Sequence, residues 1–556
     1  MVNMGPFGGL TERWFGDVLD RVLGLGQPRS SALKITRNLR VSMPDGVRLA
    51  TDHYRPAGIQ RGPVVLVRTP YGKHTPLGAA YGHAFARRGL QVVVQDVRGT
   101  FGSHDSDDFT PFVNETKDGL AALAWLRRQP WCDGRVAMAG ASYLGYTQWA
   151  IAPYADPKLS AIGLGITASN FRPTFYPGNS VALQLALAWS SGIGTQEARL
   201  PLRDRLTFRR RVTEAMSTLP AARADLAAIG RHVQFLTSVL EHAEPTDSYW
   251  DLLDHGTDLA GLGTPASFVA GWYDIFLARQ LQDFVDLQRA GVPSRITVGP
   301  WWHGQLSSMP TMFRDQVDWL AGHLLDDKAM LQRPAVRIFL QKADRWLDFD
   351  RWPVPATELV LYPDIDRRLR REIPTGEGIR AFRYDPSDPT PLVGGAPLNI
   401  PGGQRDNRRV EARDDVLVYD GEPLTEDVDV IGSGSAQVFV RTEHPDADVF
   451  VRVCDVDPRG RSLNVVEGIR RLRPDDQAAD DLGTRTAQVE LWPTAYRFHR
   501  GHRIRVQISG GGFPNYIRNH QTGEPIISAS HSVPGRTQIL HGPSHPTKIM
   551  LPKYTG

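Results

Sequence analysis

Residues 136–147 read VAMAGASYLGYT. An apolar run closes on Gly140 and Ala141, a serine follows, and Gly145 comes three places later. A strand that turns sharply into a helix needs small neighbours at the turn, because a Cβ there collides with the chain it has just left. Such a turn holds the Ser142 hydroxyl at the carboxyl end of a strand, where the next helix points its first backbone N–H groups. The spacing is G-x-S-x-x-G, one place longer than the common G-x-S-x-G elbow. Taken alone it fits a serine capping a helix as well as a nucleophile.

The flanking sequence decides for an α/β sheet. PVVLVRT (63–69), LQVVVQD (90–96), RVAMAGA (135–141) and LSAIGLGI (159–166) are short, continuously apolar runs separated by helical stretches such as DGLAALAWLRRQ. That is the pattern of parallel strands covered on both faces. Before them, ITRNLRVSMPDGVRLATDHY (35–54) reads as two alternating strands joined at Pro44-Asp45-Gly46. Between about Asn170 and Asp258 helix-period segments replace strands; PASFVAGWYD and SRITVGPWWH then resume the α/β pattern, which makes the helical block an insertion over the site edge of the sheet. Beyond Pro334, AVRIFLQ, TELVLYP, DVLVYDG, AQVFVRT, DVFVRVCDV and HRIRVQIS alternate at near-regular spacing, as in a β-sandwich or jelly roll. The expected division is an N-terminal extension with an amphipathic helix (1–34), an α/β domain (35–169 and 259–333), a helical cap (170–258) and a C-terminal jelly roll (334–556).

A serine hydroxyl becomes a nucleophile only beside a base that a carboxylate orients. Asp274 closes FVAGWYD and His303 follows ITVGPWWH. Ser142, Asp274 and His303 thus stand at successive strand ends in the chain order that this architecture uses for catalysis. The developing oxyanion also needs donors. The elbow supplies the Tyr143 amide, while Tyr71, after Pro70 in VRTPYGK, reads equally as a second donor or as packing.

Composition removes other classes. Lys+Arg 64 against Asp+Glu 61 leaves a formal charge of +3, too little to steer nucleic acid, and FRRR (208–211) reads as a solvated helix face. Cys132 and Cys454 are the only cysteines, so a disulfide framework and a cysteine zinc site are both out of reach, and a cytoplasmic location is expected. No phosphate loop, H-E-x-x-H or EF-hand pattern occurs; neither a metal nor an organic cofactor is expected. No run reaches transmembrane length, and the first residues lack the basic start and apolar core of a signal peptide. Leu10, Trp14, Val18, Leu19 and Val22 recur at helical spacing, predicting a helix packed on the body or on a second subunit rather than on a membrane. The expected partner is a small-molecule ester or amide substrate, with a homo-oligomer left open.

RTPYGK, QDVRGTFGSHD, QPWCDGRVAMAGASYLGYTQW, AGWYD, VGPWWHG and FPNYIRN together resemble the cocaine esterase-like hydrolases of the CocE/NonD family, related to α-amino acid ester hydrolases and X-prolyl dipeptidyl aminopeptidases. The resemblance runs from about residue 35 to the end. It implies an α/β-hydrolase domain, a helical cap and a jelly roll. It also implies Ser142 as nucleophile, His303 as general base and then acid, Asp274 as its orienting group, and Tyr71 with the Tyr143 amide as the oxyanion hole. By the same resemblance Phe175, Trp189 and Phe276 wall the acyl pocket. Asp96 and Arg98 of DVRGTFGS are expected to pair and hold loops at the sheet edge.

Three functions compete. An esterase working through an acyl-enzyme is favoured. An exopeptidase or β-lactam acylase needs a carboxylate for a substrate ammonium, and IFLARQ, which follows Asp274, contains none. A catalytically silent binding protein has no physical reason to keep Ser142, Asp274, His303 and Tyr71 at their strand ends.

Overall fold

The structure, a computed structural model, describes residues 7–104, 109–198, 201–257, 259, 261–398, 400–474 and 479–556. The side chain of Leu10, and Asp105 at the end of QDVRGTFGSHD, lie outside the described residues.

One sheet holds β1 (Leu33–Ser42), β2 (Arg48–Pro56), β3 (Gly62–Thr69), β4 (Gln91–Asp96), β5 (Cys132–Ala141), β6 (Ile162–Gly165), β7 (Ala266–Tyr273), β8 (Ser294–Trp302), β9 (Val336–Leu340) and β10 (Arg345–Phe349). The order is β1-β2-β4-β3-β5-β6-β7-β8-β9-β10. Neighbours from β4 to β9 run parallel, and the two edges are antiparallel. The α-helices up to β10 are α1 (Phe7–Leu23), α2 (Pro76–Ala86), α3 (Glu115–Arg127), α4 (Tyr143–Trp149), α5 (Arg172–Phe175), α6 (Leu183–Thr195), α7 (Leu202–Ala215), α8 (Ala224–Ile229), α9 (Gln234–Glu241), α10 (Leu277–Arg289) and α11 (Met309–Leu324).

Strand β3 shows why the apolar runs are continuous. Val64 and Leu66 pack into one core with Leu126 of α3, Trp149 of α4 and Phe284 of α10, whereas Val65 and Val67 pack into another with Phe85 of α2 and Phe313 and Leu320 of α11. Both faces are covered, so no position tolerates a polar residue without a partner. Each such side chain contributes about 1.5–3 kcal/mol by leaving water.

Two expectations about packing change. AVRIFLQ does not start the β-rich region: as β9 it pairs in parallel with β8, and β10 turns back beside it. Its alternating burial is that of a strand near the sheet edge, which in sequence looks the same as a sandwich strand. The N-terminal helix packs on α2 and α11 of its own chain, yet only part of the expected stripe faces inward. Of the stripe, Leu19 packs against the core, as does Leu23 beyond it, while Trp14 and Val22 stay 68% and 66% exposed. The rotation is set by ion pairs: Asp20 bonds Arg87 at 2.8 Å and Arg88 at 2.5 Å, and Glu12 meets His83 at 2.8 Å.

Helices α5 to α9 lie between β6 and β7 in the chain. Beyond β10 the chain forms two antiparallel sheets, one including Ser435–Thr442 and Gly535–His541, the other made of Val416–Asp420, Arg503–Ser509, Ala447–Val456 and Ser462–Leu472. Val438 and Val440 from the first meet Val449, Val451 and Val453 from the second in one core, giving a β-sandwich. Among the described residues no helix is long and apolar enough to cross a membrane.

Candidate active site

Strand β5 ends at Ala141 and α4 begins at Tyr143, leaving Ser142 alone on the turn at φ 55°, ψ −122°. A non-glycine residue at positive φ costs about 1–3 kcal/mol and persists only where its surroundings fix it. Here the Ser142 N–H donates to the Gly165 carbonyl at 2.9 Å, and the Ser142 carbonyl accepts from Gly145 at 2.8 Å and Tyr146 at 3.0 Å. The late glycine of the motif has a specific cause: a Cβ on Gly145 would stand 2.4 Å from the Thr167 side chain on the loop after β6.

Asp274 and His303 come together because β7 and β8 are neighbours with Tyr273 opposite Trp302, so the next residue of each strand leaves the sheet side by side. His303 Nδ1 lies 2.8 Å from Asp274 Oδ2, and Nε2 lies 3.1 Å from Ser142 Oγ. Asp274 is fully buried, and its other oxygen accepts from the Phe276 N–H at 2.9 Å. A histidine that donates Nδ1–H to a carboxylate leaves Nε2 unprotonated, ready to accept the serine proton.

Two donors flank Ser142. The Tyr143 N–H opens α4 and has no intrahelical acceptor. The far end of that residue is anchored: its hydroxyl donates to Glu115 Oε1 and accepts from the Phe112 N–H, both at 2.8 Å, and Arg68 donates to Glu115 Oε2 at 2.5 Å. Burial pushes the Tyr143 phenol well up; it also pushes the Glu115 carboxyl up, with Arg68 opposing. Tyr71 is half-buried, and its hydroxyl accepts from Trp189 Nε1 at 3.2 Å. Burial raises its phenol, while hydrogen bonding with Trp189 and Ser142 pulls the other way. The group therefore stays protonated, and with one lone pair taken by Trp189 its O–H is free to serve the Ser142 side.

Ser142 and His303 border a narrow cavity of about 20 Å³. Phe175, Trp189 and Phe276, named from the sequence, all line it, together with Phe112, Phe171, Leu185, Ile275 and Leu398, which sequence reasoning missed. Two of these carried a signal: Leu185 sits one helical turn before Trp189, and Ile275 lies between Asp274 and Phe276. Leu398 comes from the β-rich region, and no local pattern announces it. His303 also borders a wider cleft of about 560 Å³ that is lined by Phe208 of α7, Met216 directly after it, Leu306 and Ile400.

The expected pairing of Asp96 with Arg98 does not form. Asp96 binds the Lys73 backbone N–H at 2.6 Å and its ammonium at 3.4 Å, whereas Arg98 makes a two-pronged contact with Asp118 at 2.9 and 2.6 Å. The chain leaves β4 directly after Asp96, so Asp96 faces the loop after β3 while Arg98 reaches α3. Among the described residues no group of three or more His, Cys, Asp or Glu is arranged to hold a metal ion.

Comparison with known proteins extends beyond these residues. Residues 45–305 match the X-Pro dipeptidyl-peptidase (S15 family) and residues 329–550 the X-Pro dipeptidyl-peptidase C-terminal non-catalytic domain. Cocaine esterase from Rhodococcus sp. (strain MB1 Bresler) is 32% identical over 93% of this chain and 98% of its own. A solved aminopeptidase from a Thaumarchaeota archaeon superimposes with a TM-score of 0.80 at 23% identity, covering 94% of this chain and 96% of that one. An α-amino acid ester hydrolase does so with a TM-score of 0.78 at 22% identity, covering 94% and 97%. These two likenesses speak for the fold, and the cocaine esterase match, nearly end to end, speaks for the family. The chain belongs to the cocaine esterase-like CocE/NonD family of serine hydrolases.

Proposed function

We propose that the chain hydrolyses carboxylic esters of short acyl groups through an acyl-enzyme on Ser142. The observation that carries this reading is the unbroken hydrogen-bonded line from Ser142 Oγ through His303 to buried Asp274, set on a strained turn. Ser142 Oγ bonds the ester carbonyl carbon as its proton passes to His303 Nε2. The Tyr71 hydroxyl and the Tyr143 N–H receive the oxyanion. His303 then returns the proton to the leaving alkoxide as the C–O bond breaks. Water then attacks the acyl-serine, giving its proton to Nε2, and His303 passes that proton to Ser142 Oγ as the acyl–oxygen bond breaks and the acid leaves. The acyl group occupies the aromatic cavity, the alcohol the wider cleft, and the helices of 170–258 serve as the cap between them. None of the residues lining the aromatic cavity is acidic, which supports neutral acyl groups over α-amino ones. Cys132 and Cys454 are buried and unpaired, in keeping with a reducing, cytoplasmic location.

A cavity of about 20 Å³ holds roughly one or two water-sized groups. Acetyl therefore fits and benzoyl requires repacking of Leu185 or Phe276. We expect kcat/KM for p-nitrophenyl acetate to exceed that for the benzoate by at least about tenfold, the scale of a few misplaced carbon atoms. Intact mass after a short quench should show one acetyl adduct on the wild-type protein. No adduct, with hydrolysis at the background rate, would sink the esterase reading.

Tyr71→Phe tests the side-chain donor. Loss of one oxyanion donor should lower kcat by about 10²–10³-fold with a smaller change in KM. A change confined to KM would mean that Tyr71 only packs against the substrate.

A further inference from the structure

Behind the aromatic cavity lies a second one of about 60 Å³, bounded by α6, the loop after β7 and the β-rich region. Leu185 and Ile275 line both cavities, so the wall between them is one side chain thick, and each keeps 7% exposure. Its volume is room for roughly four water-sized groups, more than the front cavity offers. The lining is apolar near the wall and polar beyond it, where Glu467, Asn515 and Tyr516 converge.

Glu467 is the unusual member. It is buried, and Arg452 donates to its Oε2 at 3.0 Å, but Oε1 has no hydrogen-bond partner among the described residues. Gly395, which lines the same chamber, lies so close that a Cβ there would stand 1.9 Å from Oε1. Oε1 is not among the fully buried polar atoms, so it opens into the chamber, where a ligand that carries a donor can bond it. Arg452 already balances the charge, so a second cation would be repelled and a neutral donor is the match. Burial and the neighbouring Glu467 push the Tyr516 phenol up, which keeps it protonated and able to donate. An acceptor beside a donor is the complement of a primary amide.

We propose that this chamber is the distal half of the acyl site, opened when the Leu185 side chain swings aside, and that it takes acyl chains ending in a primary amide. The proposal rests on the esterase reading of Ser142. It is tested with p-nitrophenyl esters of matched length, about six carbons, ending in a methyl, a primary amide or a methyl ketone, with the acetate as reference in each protein. In the wild type the amide-ended ester should exceed the methyl-ended one by about tenfold in kcat/KM, and the ketone-ended ester, which cannot donate, should not. Leu185→Ala should raise all three longer esters about tenfold relative to acetate. Glu467→Gln keeps an oxygen for Arg452 and turns an N–H toward the chamber, so the preference should move from amide to ketone; its melting temperature reports folding. Calorimetric binding of the corresponding free acids makes the same comparison without turnover. Loss of ester hydrolysis with the binding preference intact would count against Ser142 alone. Equal binding of all three acids, or longer esters no better in Leu185→Ala, would overturn the distal site.

Discussion

Ser142→Ala is expected to lower kcat for p-nitrophenyl acetate by about 10⁵-fold or more, as removal of a nucleophile does in serine hydrolases. Water could replace the serine, yet it would start without the fixed 3.1 Å approach to His303 Nε2 and without a covalent intermediate to divide the barrier. The oxyanion donors at Tyr71 and Tyr143 remain in the variant, so residual catalysis of about 10³–10⁴-fold over water should survive. His303→Ala should cost nearly as much, and the double variant hardly more, because the two groups act as one unit. Asp274→Asn gives a sharper test of the hydrogen-bond line. An amide at that position would favour the wrong imidazole tautomer and cost about 10⁴-fold in kcat while leaving the fold intact. Rates within tenfold of wild type for Ser142→Ala, in protein free of contaminating esterase, would remove Ser142 from the mechanism.

The parts of the molecule legible in sequence are those whose cause is local. Continuous burial of β3 and β4 writes an apolar run; the turn at Ser142 demands small residues beside it; Asp274 and His303 follow strands whose ends are marked. What stayed hidden depends on which distant segments meet. Val336, Ile338 and Leu340 alternate with Arg337 and Phe339 whichever sheet they join, so only the open edge of β8 decides that β9 belongs there. Arg98 finds Asp118 rather than Asp96 because α3 lies across its path. Leu398 and Glu467 reach the acyl region from strands and loops far along the chain, and nothing in their own neighbourhoods marks them. The family resemblance, not a local pattern, points to Phe175, Trp189 and Phe276, while Phe112 comes from a loop without periodicity.

The largest loss of stability is expected from Glu115→Ala. Glu115 lies below the nucleophile turn, buried, between the Arg68 guanidinium and the Tyr143 hydroxyl. Deleting it leaves a fully buried guanidinium without its carboxylate, and Arg68 Nη2 already has no partner among the described residues. Breaking a buried pair from one side typically costs about 3–5 kcal/mol, a large part of a domain's total stability of about 5–15 kcal/mol. Arg68 keeps its bonds to Gln95 Oε1 and to the Glu115 backbone carbonyl, so the variant should fold but melt well below the wild type. A second readout separates structure from positioning. The Tyr143 ring is pinned at its hydroxyl by Glu115 and the Phe112 N–H, and its backbone N–H is the proposed oxyanion donor. Tyr143→Phe removes both contacts without stranding Arg68, so its stability cost should be nearer 1–3 kcal/mol. If the pin aims the amide, kcat on p-nitrophenyl acetate should fall about tenfold in Tyr143→Phe at temperatures far below its melting point, with KM little changed. A kcat equal to wild type there, alongside the expected drop in melting temperature, would assign the Arg68–Glu115–Tyr143 line to stability alone. Glu115→Ala with an unchanged melting temperature would mean that water or a relaxed Arg68 side chain replaces the carboxylate, and the buried line would not be the support of the turn.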